Sequence, residues 1–249
     1  MKLFIKYVLI LAICTACNNT VKPKFSNELL DTIKTKPAGI AAKPLLFETA
    51  FIKGTTAKIK DATLDLYGIN IGNIKISSGR VIACDPLLIE EYGKPFTQAF
   101  PTGAFPFQLS IARYGEGESI AFARILFSNE PVARWEVALL ANQQPVAVGD
   151  EDAPGYIVDS GIGSFMDDEA GKALDKKTVT RMDGAVYAEM NKHRHSSWRY
   201  ALYHFGNYNI AAFTSGEGDG RYTTYIGFDV KGTPCRLVTD FGLFDWNKD

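Results

Sequence analysis

Six residues carry the side chains best suited to chemistry in this chain, namely Asp85, Asp159, Ser160, Asp167, Glu217 and Asp219. They fall in three acidic segments punctuated by glycine or proline. The first is Asp85-Pro86. The second runs from Val158 through Asp159-Ser160-Gly161-Ile162-Gly163-Ser164 to Asp167-Asp168. The third is Ser215-Gly216-Glu217-Gly218-Asp219-Gly220. Carboxylates converging from several loops could hold Ca²⁺ or Mg²⁺, which want several oxygen ligands. They could equally act as general acid and base. Glycine lets a backbone approach a ligand closely or take positive φ. Plain turn chemistry also accounts for each segment taken alone. Asp219-Gly220 is a common turn pair, Asp159-Ser160-Gly161 suits an Asx-turn, and Asp167 suits a helix cap. A shared site requires the carboxylates to meet in space.

Other candidates are weaker. Ser160 as a nucleophile would need a base from His193, His195 or His204, and no Gly-x-Ser-x-Gly elbow surrounds it. His193 and His195 are two apart and would face different sides of a helix, so surface positions suit them better than metal ligation. Trp198, Tyr200, Tyr203 and Phe205 read as core aromatics rather than a sugar platform. No Cys-x-x-Cys spacing is present, which excludes a zinc knuckle.

The elements that would position these residues are mostly strands. Residues 63–67, 69–71 and 74–76 alternate apolar and polar side chains, and Arg80 to Cys84 follows as another strand. Asp85-Pro86 ends that strand, because proline cannot continue a ladder. Residues 105–114 and 119–128 flank a glycine-rich turn. Residues 198–205 and 208–214 flank Gly206-Asn207, and residues 221–230 and 233–240 flank Lys231-Gly232. Arg134-Trp135-Glu136 alternates so that the tryptophan faces inward. Helix is expected after Asp167-Asp168-Glu169, whose charges favour a helix N-terminus, and again around Val186 to Met190. The expected fold is mainly β, with two packed antiparallel sheets in a sandwich-like arrangement and two or three short helices inserted near residues 167–192.

The first residues set an address. Lys2 and Lys6 precede a short apolar run that ends in Cys14-Thr15-Ala16-Cys17. Charged start, short apolar core and small residues before a cysteine make a secretory signal. Directly before Cys17 the pattern looks like the lipobox of bacterial lipoproteins. In that class the leader is removed and the cysteine acylated, palmitate being the expected chain. Residues 1–16 are then the signal peptide, 17–44 a lipidated tether with a short helix near residues 27–33, and 45–249 a single globular domain. Loss of Lys2 and Lys6 takes the formal charge from −1 to −3. With no basic run in the domain, nucleic acid is not an expected partner. Apolar content of 46% against 22% charged residues describes globular material rather than a disordered chain. Cys84 and Cys235 remain after processing, with a disulfide permitted but not indicated.

Several segments taken in order resemble the bacterial family called domain of unknown function 4241. They are Gly79 to Pro86, Phe100-Pro101-Thr102-Gly103, Ala123-Arg124, Arg134-Trp135-Glu136, Gly155 to Gly161, Phe165-Met166-Asp167, and Ser215 to Gly220 with Tyr222, Gly227 and Asp240-Phe241-Gly242. The resemblance brings no established activity. It does imply that Asp85, Asp159, Asp167 and Asp219 share one neighbourhood. The expected function is that of an envelope lipoprotein, lipid-anchored in the outer membrane facing the periplasm, that binds a ligand or a protein partner. The alternatives are a hydrolase assisted by a divalent cation and a purely structural envelope protein.

Overall fold

The computed structural model describes residues 44–59, 62–175 and 183–246. The signal peptide, Cys17 and the tether lie outside the described residues. Among those described, the chain is mainly antiparallel β. A seven-stranded sheet, curled into a half-barrel, contains β1 (Thr55–Ile59), β2 (Ala62–Ile76), β4 (Gly103–Tyr114), β5 (Gly117–Leu126), β6 (Arg134–Val137), β12 (Thr224–Phe228) and β13 (Pro234–Asp240). Its order is β1-β2-β4-β5-β13-β12-β6. A four-stranded sheet contains β3 (Val81–Cys84), β8 (Ile162–Asp167), β9 (Tyr200–Phe205) and β10 (Tyr208–Thr214), in the order β3-β8-β10-β9. A small ribbon pairs β7 (Tyr156–Val158) with β11 (Gly220–Tyr222).

The two larger sheets bury a common core. Phe107, Leu109 and Ile111 alternate along β4 and meet Phe165 of β8 and Phe213 of β10. The Phe107 ring lies 5.5 Å from Phe165 and 5.6 Å from Phe213. Both sheets are also covered on their outer faces. Ile210 and Ala212, the alternate residues of β10, pack with Val186, Tyr187 and Met190 of α4 (Ala185–Lys192) and Ala170 of α3 (Asp168–Ala173). The helix α2 (Ile89–Tyr92) adds Ile89 to that layer. On the far side of the seven-stranded sheet, α1 (Leu46–Thr49) inserts Phe47 against Phe122, Trp135, Tyr225 and Trp246. Burying both faces of β10 leaves no room for the polar alternation of a solvated strand.

The sandwich expectation therefore holds only in part. The sheets do pack together, but one is strongly curled and a third small ribbon is present. The helices near residues 167–192 are α3 and α4, while α1 and α2 lie elsewhere. Residues 63–76 are one strand rather than three. A bulge between Asn70 and Gly72 bends β2 without ending it, and Leu202 of β9 sits where a Gly72 side chain would project. The larger correction concerns residues 162–167. They read as part of an acidic loop, yet they form β8, every residue of which is buried. Cys84 and Cys235 are separate buried thiols in different sheets.

Candidate functional site

All three acidic segments meet at the Asp159–Gly161 loop, although Asp167 at the far end of the second does not. Asp85 is fully buried and caps the 3₁₀ turn Pro86–Leu88, its Oδ1 accepting the Leu87 N–H at 2.9 Å. Its Oδ2 accepts the N–H groups of Asp159 and Ser160 at 3.0 and 2.9 Å. Asp219 reaches the next amide, accepting the Gly161 N–H at 2.8 Å. Ser215 closes the link by donating its N–H to the Gly161 carbonyl at 3.1 Å. Gly161 has φ +66, a conformation that a side chain would strain. One short loop is thus gripped by a carboxylate from each side.

Asp167 does not join them. It stands at the other end of the β3–β8 pair, opposite Val81, whereas Ser164 faces Cys84. At about 3.3 Å per residue this places it roughly 13 Å along the strand from Asp85. Its carboxylate accepts N–H and O–H groups from both Ser77 and Ser78 at 2.8–3.1 Å. It also caps α3 through the Glu169 N–H at 3.0 Å. The expected single neighbourhood of four aspartates is corrected accordingly. Asp159 and Glu217 point outward and are exposed. Among the described residues no group of three or more His, Cys, Asp or Glu side chains is placed to hold a metal ion.

What the gripped loop borders is a cleft of about 500 Å³. Ser160, Gly161, Gly216, Glu217 and Gly218 form one wall, and Arg194, Ser196, Ser197, Trp198 and Arg199 form the other. The second wall is the segment between α4 and β9. Its fixity comes from Glu118 at the β4–β5 turn. The Glu118 carboxylate accepts from Trp198 Nε1 at 3.1 Å, Tyr67 Oη at 3.0 Å and Arg113 Nη2 at 2.8 Å. Partial burial pushes the Glu118 pKa up, but those donors overcome it and hold the group below its ordinary range. The Ser197 hydroxyl donates to the Glu118 carbonyl. Trp198 stacks on His195 with ring centroids 3.8 Å apart, and Tyr200 stacks on His193 at 4.8 Å. The two histidines are therefore surface aromatic partners.

Three charges line the cleft without pairing. Among the described residues neither Arg194, Arg199 nor Glu217 takes part in an ion pair. Arg199 donates to Asn191 Oδ1 and lies 5.3 Å over the Tyr187 ring. Behind that ring are two orphaned hydroxyls. Ser160 Oγ and Tyr187 Oη are buried without a hydrogen-bond partner. Burial raises the Tyr187 pKa, the neighbouring Ser160 hydroxyl opposes the rise, and the Asp85 charge adds to it. Leaving a buried polar group unsatisfied costs about 1–3 kcal/mol. Burial pushes the Cys84 thiol up to about 12, with the Asp85 charge adding to that effect, so this cysteine is not a nucleophile.

Glu217 also lines a second recess. Ser119 and Ser197 border both, and the second, of about 620 Å³, has largely apolar walls. The acidic segments were visible as a pattern, but the arginine wall was not. The available signal was two arginines, Arg194 and Arg199, close together beside a strand start and with no acidic residue between them.

Taken together these features define a mainly β domain whose connecting loops enclose a charged cleft. The chain belongs to the family described as "Protein of unknown function (DUF4241)", whose pattern matches residues 74–239. No curated protein and no solved structure matches the chain.

Proposed function

We propose that this chain is a binding protein of the bacterial cell envelope, tethered through Cys17, whose domain takes a small charged ligand in the Arg194–Arg199–Glu217 cleft. The observation that carries the binding reading is the set of unpaired charges on opposite walls of one concave surface. Concave sites with a few fixed polar groups are where small ligands bind. The alternative of a cation-assisted hydrolase is less well supported. Asp85 and Asp167 each direct their oxygens at N–H groups, which are poor company for a cation. The tether reading rests on the two lysines, the short apolar run and Cys17. Among the described residues no helix is long and apolar enough to cross a membrane.

Binding is tested by titrating the full chain with inorganic phosphate, acetate and free amino acids while following the amide resonances of Ser160, Gly161 and Gly218. Saturable shifts that vanish in Arg199→Ala are the expected result. A ligand at a hundredfold excess over its Kd would also raise unfolding stability by about 2.7 kcal/mol. Silence from every probe would overturn the reading. The tether is tested separately by metabolic labelling with a fatty acid, which Cys17→Ala should abolish.

A further inference from the structure

The order of the groups along the two joined recesses identifies a class of ligand, provided that the charged cleft is a binding site as proposed above. Arg194 and Arg199 line the polar recess and not the apolar one. Glu217 lies on the boundary and borders both recesses. Beyond it the second recess is walled by Ile59, Ala62, Leu64, Ala112, Tyr114 and Leu243. The sequence is cation, anion, apolar wall. Opposite charges lining one cleft would ordinarily neutralise each other, and here they do not.

We infer that the site takes a free α-amino acid with a large apolar side chain. Its carboxylate would meet Arg194 and Arg199, its ammonium Glu217, and its side chain the apolar recess. An α-amino acid carries all three groups on one tetrahedral carbon, so a single ligand can present each of them to a different part of the joined recesses. Arginine suits the carboxylate because its planar fork can donate two parallel hydrogen bonds. Glu217 is exposed and has no competing ion pair. The other carboxylate in the recess, Glu118, is already held by Trp198, Tyr67 and Arg113, which leaves Glu217 as the ammonium partner. The recess volumes, about 500 and 620 Å³, lie within the range that small ligands occupy.

Isothermal titration of the full chain with L-leucine, glycine, 4-methylpentanoate and 3-methylbutylamine tests this. Leucine should bind at least about tenfold more tightly than each of the others, the loss expected when one charge-assisted contact or the apolar burial is removed. Glu217→Gln should weaken leucine by a similar factor and leave 4-methylpentanoate unchanged or improved. Glu217 is exposed, so this variant should fold, and an unaltered unfolding midpoint will show that it has. If 4-methylpentanoate matches leucine, the amino-acid inference fails while the anion-binding cleft stands. If glycine matches leucine, the apolar recess takes no part and the inference fails. If no probe binds and Arg199→Ala changes nothing, the cleft reading itself fails.

Discussion

Asp85 and Asp167 stand at the two ends of the same strand pair, and both are fully buried. Asp167 gathers the serines of the β2–β3 turn and the first turn of α3. Every donor it accepts from is local scaffold. Asp85 gathers amides from a loop that lines the charged cleft, beside two hydroxyls left without partners. The same residue type in the same sheet therefore does two jobs. A buried carboxylate saturated by donors reports a fixed loop; the unsatisfied hydroxyls beside Asp85 distinguish its surroundings from those of Asp167.

The sharpest way to break this comparison is Asp167→Ala. Removing it orphans several buried donors at once, and hydrogen bonds to charged groups contribute about 1.5–3 kcal/mol each without being additive. Urea unfolding should show a loss of about 4 kcal/mol, with ligand binding intact in the fraction that folds. Asp85→Asn should cost less, about 2 kcal/mol, since an amide can still accept one of the three N–H groups. It should move the Ser160 and Gly161 amide resonances and weaken binding. Equal effects of the two substitutions on binding would erase the distinction.

A third aspartate supplies a pH test. Burial raises the Asp240 pKa from the ordinary 3.8 to about 6, against hydrogen bonds from Trp246 and Gly242. A raised pKa in the folded state means that the neutral form is the one favoured by folding. The stability it contributes is complete below pH 3.8 and is lost as pH rises through about 6. Asp240→Asn should flatten that slope and stabilise the protein at pH 7 by about 2 kcal/mol. The smallest effect belongs to Tyr187→Phe. Deleting an orphaned hydroxyl should leave stability unchanged or raise it by up to about 1 kcal/mol in thermal unfolding. A loss above that would mean the hydroxyl has a partner in solution.

Much of the scaffold was legible in the sequence. The alternation of Arg134-Trp135-Glu136 matches the exposed-buried-exposed pattern of β6. Gly206-Asn207 joins β9 and β10, and Asp167 caps α3. The strand β8 was not legible because Gly163, Ser164 and Asp167 are poor strand formers. It is a strand because it pairs with β3 on one side and β10 on the other, and small residues stand in it because the packing leaves no room for larger ones. A Cβ on Gly163 would come within 2.9 Å of the Phe213 ring and 3.0 Å of Tyr156 Oη. That fact lives in the packing of distant residues. The acidic glycine loop 215–220 likewise closes no hairpin with β10, because β11 leaves to pair with β7. Of the site, the loop wall of Ser160 and Glu217 was anticipated and the arginine wall was not. Arginines on a surface loop carry no local pattern that separates a ligand wall from ordinary solvent exposure.

The position of β13 has a consequence for biosynthesis. This strand, ending at Asp240, lies between β5 and β12 in the middle of the seven-stranded sheet. Until it emerges, β5 presents an open edge, and the β6–β12 pair has no strand joining it to the rest of the sheet. The sheet therefore cannot be completed before β13 is present. Such pairings between distant segments form slowly, and exposed strand edges invite aggregation in the interval. Completion of the large sheet therefore waits on a strand that follows all of its partners in the chain.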